Sequence, residues 1–188
     1  FTGIIATASF GTPANPGQPS ANAGQLITIT GTDLKDNSTV TFTTANDSGV
    51  PGLANVRITG VNADGTSATV VVPNGATTGL VSMPGTGSSF SLQIVPRLTS
   101  FSNTNFRSGD NLQLFGSGFV EGGITVSFGD VDVVDPDAGP TTVDVFSTAT
   151  SLNVTIPADP GPVVTVTTNG GTSNALTVGP TSFTGIIA

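Results

Sequence analysis

Four aspartates lie close together in the segment GDVDVVDPDAG and could supply oxygen ligands to a cation: Asp130, Asp132, Asp135 and Asp137. Carboxylate oxygens are preferred ligands of calcium in proteins. The spacing of the four residues matches neither an EF-hand loop nor a glycine-rich calcium-binding nonapeptide. The alternative is a strand on which Asp130 and Asp132 face solvent, followed by an acidic turn, and we favour this interpretation. Calcium is the only cofactor that the sequence suggests.

The chain has few residues that could carry out catalysis. It contains no His, Cys, Trp or Tyr, which excludes a Ser-His-Asp triad, a thiol nucleophile and a histidine-based zinc site. A glycosidase requires two carboxyl groups on opposite sides of the scissile bond. Glu121 is the only Glu, and nothing in the sequence places it across a cleft from an Asp. We therefore predict that the chain is not an enzyme.

The charge of the chain argues against nucleic acid and membranes as partners. The formal net charge is −8 and only 9% of the residues are charged, so there is no basic surface to replace the counterions of phosphates. The longest purely aliphatic run, Val70-Val71-Val72, is far shorter than the ~20 apolar residues of a membrane-spanning helix. We expect no nucleic-acid partner and no membrane insertion by this segment.

The composition and the local patterns predict an all-β fold. Gly (25) and Pro (13) are abundant, while many segments alternate apolar and polar residues, such as LITIT at 26–30 and TVSF at 125–128. Turn sequences such as Asn169-Gly170-Gly171 separate them. About seven short strands in each ~90 residues are typical of a β-sandwich. We expect the phenylalanines, Phe10 and Phe128 among them, to fill the core.

The hexapeptide FTGIIA occurs at residues 1–6 and again at residues 183–188, an offset of 182 residues. This recurrence predicts a chain of one 182-residue period followed by the beginning of the next, and hence an array of near-identical units. The apolar residues of the two copies are the candidate repeat-junction residues: Phe1, Ile4, Ile5, Phe183, Ile186 and Ile187.

Two roles are open for the hexapeptide. It could form the first strand of each unit or pack the junction between consecutive units of one chain. Alternatively, it could complete the sheet of a neighbouring subunit by strand addition, which would join separate chains end to end. We favour the junction within one chain.

A second and more divergent repeat lies inside the period. The segments TASF (7–10), AGQLITITGTDL (23–34) and TVTF (39–42) recur in the same order as LTSF (98–101), SGDNLQLFGSGF (108–119) and TVSF (125–128). Proline at the step Val95-Pro96 favours an extended entry into a new strand. We therefore predict two homologous domains, at residues 1–95 and 96–180, and the start of the next repeat at 181–188.

The two repeated segments resemble the IPT/TIG family of immunoglobulin-like domains. Both have a Gly before an alternating strand (Gly24 and Gly109), a G-x-x-[FL] ending (GTDL and GSGF) and a following TVxF strand. The resemblance implies two tandem immunoglobulin-like β-sandwiches and carries no catalytic motif. Members occur in bacterial surface proteins and adhesins, in carbohydrate enzymes, in animal receptors and in transcription factors, so the fold alone does not determine function.

We expect from the repeats and the acidic, weakly charged composition a structural repeat unit of a long extracellular or cell-surface protein, of bacterial origin, that forms a stalk, fibre or sheath. Its partners would be neighbouring copies of the same repeat, with lateral self-association as a further option. The alternatives are an adhesin module that binds glycan or a host protein, and separate subunits that polymerise by strand addition through FTGIIA.

Overall fold

A computed structural model describes residues 1–104, 106–135 and 142–177. All regular structure in these residues is β-strand, arranged as two tandem immunoglobulin-like β-sandwiches, which confirms the predicted fold class. In the described ranges, no helix has the length and apolar character needed to cross a membrane. Asp137, Phe183, Ile186 and Ile187 lie outside the described residues.

The first sandwich contains nine strands. They are β1 (Gly3–Ile5), β2 (Thr12–Pro13), β3 (Ser20–Ala21), β4 (Leu26–Thr30), β5 (Thr39–Ala45), β6 (Pro51–Arg57), β7 (Ser67–Val71), β8 (Ala76–Ser82) and β9 (Ser89–Ile94). One sheet has the order β1-β4-β7 and the facing sheet has the order β3-β9-β8-β5-β6. All pairs within these two sheets are antiparallel except β3 with β9.

The second sandwich contains a further nine strands. They are β10 (Arg97–Phe101), β11 (Asn111–Ser117), β12 (Thr125–Phe128), β13 (Val131–Val134), β14 (Val143–Phe146), β15 (Ser151–Thr155), β16 (Val163–Thr168), β17 (Gly171–Thr172) and β18 (Leu176–Thr177). One sheet has the order β10-β11-β15-β14. The facing sheet has the order β13-β12-β16-β17-β2 and therefore ends in a strand of the first sandwich; β18 also pairs with β16.

Each sandwich has its own apolar core, because alternate residues of its strands point inward. In β4 the two isoleucines, Ile27 and Ile29, are buried, whereas Leu26 on the other face is exposed. The buried residues of the first core lie between Phe1 and Ile94, and those of the second lie between residues 98 and 166.

The G-x-x-[FL] sequences adopt the same turn in both sandwiches. The third residue, Asp33 or Gly118, has a positive φ of 57° or 74°, respectively. The fourth residue, Leu34 or Phe119, is buried beneath the turn. Glycine accepts a positive φ without strain and Asp is among the few other residues that tolerate it, which explains how the two sequences form one backbone shape.

One predicted correspondence between the domains was wrong. LTSF (98–101) belongs to β10, which pairs with β11, but TASF (7–10) forms no strand. The residues that take the equivalent place beside β4 are Gly3–Ile5, from the hexapeptide. The matching sequences were a poor guide because Phe10 is 40% exposed, whereas the buried residues at the start of the first sandwich are Phe1, just before β1, and Ile4, within it.

The turn between β6 and β7 shows how short polar side chains hold the loops of this chain. Asp64 accepts hydrogen bonds from both the hydroxyl group (2.6 Å) and the backbone N–H (3.0 Å) of Thr66. These two bonds stabilise the carboxylate and hold the pKa of Asp64 below its usual value. The turn closes with Gly65, whose φ is 67°.

Candidate functional site

The candidate functional site is the junction between the two sandwiches, because it determines how the two domains are held together. Strand β9 ends at Ile94 and β10 begins at Arg97, so only Val95 and Pro96 connect the domains. Both residues are buried, and the N–H of Val95 donates to the carbonyl oxygen of Ala21 at 2.9 Å. The connection is therefore buried along its whole length, with Val95 bonded to the first domain and Pro96 close to Gly118 of the second.

A strand of the first domain extends a sheet of the second. Thr12 and Pro13 of β2 pair antiparallel with Thr172 and Gly171 of β17, and the N–H of Ala14 donates to the carbonyl oxygen of Gly170 at 3.1 Å. β2 is the terminal strand of that sheet, a position that proline tolerates because it needs no second ladder partner. The two domains thus share backbone hydrogen bonds as well as a covalent link.

The tight turn Asn169-Gly170 between β16 and β17 fits the junction because it has no side chain at Gly170. A Cβ atom there would collide with the carbonyl oxygen of Ile94 and would lie 2.5 Å from Oγ1 of Thr78, both in the first domain. Real Cβ atoms do not approach other atoms this closely, so the backbones could not stay in place. Glycine at position 170 is therefore a requirement of the interface.

The segment that contains β2, residues 7–19, will be called the junction loop. Amide side chains of the first domain hold its outward half: Asn22 exchanges hydrogen bonds with the backbone of Phe10 at 2.9 and 3.1 Å. The same Asn22 amide donates to the carbonyl oxygen of Val95 at 2.9 Å, and Gln25 accepts from the N–H of Ser9 at 3.2 Å. A buried amide so fully bonded stabilises one loop conformation.

The returning half of the junction loop is held in the same way. The buried side chain of Gln93 accepts from the N–H of Asn15 at 2.7 Å and donates to its carbonyl oxygen at 2.8 Å. At the base, the N–H of Ser20 donates to the carbonyl oxygen of Ala6 at 3.2 Å. The junction loop therefore leaves the first domain after Ala6 and returns to it at Ser20, and a hydrogen bond joins its two ends.

A second contact between the domains is made by Asp47, at the tip of the β5–β6 hairpin. Its two carboxylate oxygens accept from the backbone N–H groups of Thr148 (3.0 Å) and Ala149 (2.9 Å). Ser147, Thr148 and Ala149 all have left-handed φ values, between 57° and 60°. An L-residue in this conformation costs about 1–2 kcal/mol, whereas each hydrogen bond to a charged acceptor contributes about 1.5–3 kcal/mol. The Asp47 carboxylate is therefore strong enough to offset most of the strain of this turn.

Phe10 was expected in the core and lies instead on the surface of the junction. The guanidinium carbon of Arg97 lies 3.9 Å from the centre of its ring, the geometry of a cation–π contact. The two hydrogen bonds between the Asn22 side chain and the Phe10 backbone, one in each direction, hold the residue outside the sandwich. The ring thus packs on the first residue of the second domain.

A cavity of about 50 Å³ lies between the domains, lined by residues of both, including Thr78, Ile94, Val120 and Thr168. A volume of this size holds a water molecule and excludes an organic ligand. The junction is therefore a packed interface and has the character of a structural element.

The three described members of the predicted acidic cluster differ in their exposure. Asp130, in the turn between β12 and β13, and Asp132, on β13, are exposed. Asp135, which we expected in an acidic turn, is buried, and its Oδ2 accepts from the N–H of Gly122 at 2.6 Å. Within residues 1–104, 106–135 and 142–177, no three acidic side chains come close enough to hold a metal ion together.

Glu121 has a structural position that the sequence did not reveal. It is buried, and its Oε2 accepts from the backbone N–H of Val145 at 2.6 Å. The neighbouring residue Gly122 donates its N–H to the carboxylate of Asp135. The loop at 121–123 is therefore held by two carboxylates, its own Glu121 and Asp135. A lone Glu beside two glycines gives no local signal of burial, since burial depends on strands that are distant in sequence.

The hexapeptide residues 1–6 lie on the first sandwich. Phe1 and Ile4 are each only 8% exposed and belong to its core, whereas Ile5 is 65% exposed. The ring of Phe1 meets Phe90 edge to face, with centroids 5.0 Å apart. This copy of FTGIIA therefore contributes two side chains to the core of its own unit.

No family model matches the chain, and no curated protein is significantly similar to it. It is similar to a surface glycan-binding protein from Prevotella bryantii, with 16% identity and a TM-score of 0.44 over 93% of this chain and 42% of that one. It is also similar to SGBP-B from a xyloglucan utilization locus of Bacteroides uniformis, with 20% identity and a TM-score of 0.38 over 94% of this chain and 49% of that one.

A third similar structure is a tetra-tandem repeat from the extending region of a large adhesion protein. The identity is 17% and the TM-score 0.25, over 82% of this chain and 45% of that one. All three TM-scores are below 0.5, and the chain spans less than half the length of each of these structures.

Proposed function

We propose that the chain is a stiff two-domain structural unit of a long extracellular or cell-surface protein, repeated with a period of 182 residues to build a stalk, fibre or sheath. The observation that carries this proposal is the pairing of β2 with β17, which makes the two domains share one sheet. Because this pairing joins the backbones of the two domains, it restricts their relative movement and makes the unit stiff.

Three further features support a spacing role. The two-residue connection Val95-Pro96 is buried, Asp47 binds the second domain, and the cavity of about 50 Å³ between the domains is too small for an organic ligand. The hexapeptide that recurs at 183–188 forms the first strand of the unit at its first occurrence. A following unit that folds in the same way would begin with that second copy.

We also propose that both sandwiches are IPT/TIG domains. The proposal rests on the shared turn after β4 and β11, with its positive φ at Asp33 and Gly118 and its buried Leu34 and Phe119. These shared features are structural and include no catalytic residue, which agrees with a spacing role.

Glycan binding by an adhesin module is the second candidate, and the exposed ring of Phe10 favours it, since sugars stack on aromatic faces. Arg97 lies over one face of that ring, and the residue as a whole is 40% exposed. Titration of the chain with a glycan panel, with Phe10→Ala as the control variant, separates this role from spacing: binding that Phe10→Ala abolishes would support the adhesin role.

The main test is the covalent mass of the native protein on a denaturing gel, together with negative-stain microscopy of the undenatured material. We expect a mass many times the 18.6 kDa of this chain and fibres with a repeat of roughly 60–80 Å, from two domains of ~90 residues placed end to end. A native polypeptide that contains one period and forms no fibre would refute the proposal.

A further inference from the structure

Strand β1 occupies a slot at the edge of the first sandwich. Its partner on one side is β4, with Gly3 opposite Thr30 and Ile4 opposite Ile29, and the described chain supplies no strand on its other side. The N–H of Thr2 adds a hydrogen bond to the carbonyl oxygen of Thr30 at 2.8 Å. The slot is thus the backbone edge of β4 (Leu26–Thr30) together with the apolar core beneath it. Proteins bind an added strand at sheet edges of this kind.

The slot recognises side chains at three positions of its occupant. Phe1 is buried against the edge of the Phe90 ring, and Ile4 is buried in the core. At the third position a Cβ atom would lie 3.2 Å from Oγ1 of Thr30, a tight contact that favours glycine. Thr2 and Ile5 are exposed. The slot therefore accepts a strand of the pattern Phe-x-Gly-Ile.

The chain carries this pattern a second time, at Phe183, Gly185 and Ile186. We propose that the slot beside β4 is a binding site for residues 183–188 of a second copy of the chain, with Phe183 and Ile186 in the places of Phe1 and Ile4. Units that are not covalently linked would then join head to tail once their own first strand has left the slot. This inference goes beyond a spacing role within one polypeptide, because the slot recognises the strand and not the peptide bond that precedes it.

Two strands compete for the slot, residues 1–6 of the same chain and residues 183–188 of a second chain, and this competition determines when chains join. A strand tethered to its own slot has an effective concentration in the millimolar range, so a second chain at micromolar concentration cannot displace it. Weakening the native strand while leaving the second copy intact removes this advantage. The second copy, identical in all six residues, then becomes the better occupant.

The test uses point variants of the full 188-residue chain, with mass measured by light scattering after size exclusion. In Ile4→Asn, a polar group would replace a side chain that is 8% exposed, so the native strand should leave the slot. At about 100 µM, which is below the millimolar effective concentration of a tethered strand, the unmodified chain should be a monomer. Ile4→Asn should form folded oligomers in multiples of 18.6 kDa that dissociate on dilution.

Two double variants, in which Ile4→Asn is combined with a substitution in the second copy of the hexapeptide, test whether the oligomers form through the slot. Ile4→Asn/Ile186→Asn has no competent strand and should stay monomeric. Ile4→Asn/Ile187→Asn should form oligomers as Ile4→Asn does, because position 187 corresponds to Ile5, which is 65% exposed. Equal behaviour of the two double variants would mean that the association does not pass through this slot and would overturn the proposal.

A synthetic FTGIIA peptide covers the case in which Ile4→Asn does not fold. Added in excess, it should raise the Tm of Ile4→Asn and dissolve its oligomers, while a peptide with Asn at the fourth position should do neither. A monomeric Ile4→Asn chain that the peptide does not stabilise would overturn the proposal, whether that chain is folded or unfolded. Neither result changes the native covalent mass, so the spacing role is tested independently.

Discussion

Asp47 is the side chain that most directly connects the two domains. It lies at the tip of a hairpin whose backbone is fixed by Asn46, which accepts from the N–H groups of Ser48 and Val50 at 3.0 and 2.9 Å. The hairpin holds the carboxylate against Thr148 and Ala149, which are 101 and 102 residues away in sequence. A single carboxylate thus fixes a strained turn in the neighbouring domain.

We expect Asp47→Ala to lower the free energy of unfolding by about 2–4 kcal/mol, because two charge-assisted hydrogen bonds disappear while the left-handed turn keeps its strain. Urea unfolding measures the loss. Asp47→Asn keeps one acceptor oxygen, so its free energy of unfolding should lie between those of the unmodified chain and Asp47→Ala.

The control for this substitution is Asp132→Ala, which removes an exposed carboxylate from an edge strand and should change stability by less than about 0.5 kcal/mol. Equal effects of Asp47→Ala and Asp132→Ala would show that charge, and not the contact between domains, is responsible.

At the scale of elements, the β2–β17 pair depends on how closely two backbones can approach. Gly170 lies in ordinary turn geometry but faces the carbonyl oxygen of Ile94, so the constraint at this position is space rather than φ. The pair itself is only two residues long. Such a short ladder persists because the amides of Asn22 and Gln93 hold the loop around it.

Gly170→Ala should therefore separate the domains. We expect a loss of about 1–3 kcal/mol from overpacking, together with an increase in the radius of gyration measured by small-angle X-ray scattering. Gly123→Ala is the matched control, because its Cβ would have no neighbour nearer than 3.6 Å. A Gly170→Ala variant with unchanged scattering would contradict the proposed role of this contact.

The elements that the sequence predicted are those that local alternation specifies. LITIT and TVSF became β4 and β12 because their inward residues recur at every second position. β2 could not be predicted, because Thr12 and Pro13 stand in a stretch of Gly, Pro and Asn that is typical of a loop, and their partner is a strand of the other domain.

The junction contacts were missed for the same physical reason. Asp47 looks like any hairpin aspartate until the turn at Ser147 to Ala149 is placed beside it. The Phe10 ring has the character of a core residue, and only the hydrogen bonds of Asn22 explain why it stays outside. The hexapeptide, in contrast, was visible as a repeat, and its alternation of buried Ile4 and exposed Ile5 follows from strand geometry.

At the scale of the molecule, the shared sheet and the Asp47 contact should make the two domains unfold together. We expect a single calorimetric transition in the unmodified chain, with the van't Hoff enthalpy equal to the calorimetric enthalpy of both domains. The combined Asp47→Ala/Gly170→Ala variant should show two transitions. Two resolved transitions in the unmodified chain would mean that the junction is too weak to couple the sandwiches.

The closed base of the junction loop determines how a pulled array would respond. Because Ala6 and Ser20 meet at hydrogen-bond distance, tension along the main chain passes between them without straightening residues 7–19. While that base holds, the loop keeps its fold under an axial pull, and its pairing with β17 resists twist and tilt of one domain on the other. A filament of such units would transmit a pull through its sandwiches without unravelling the loop that keeps them aligned.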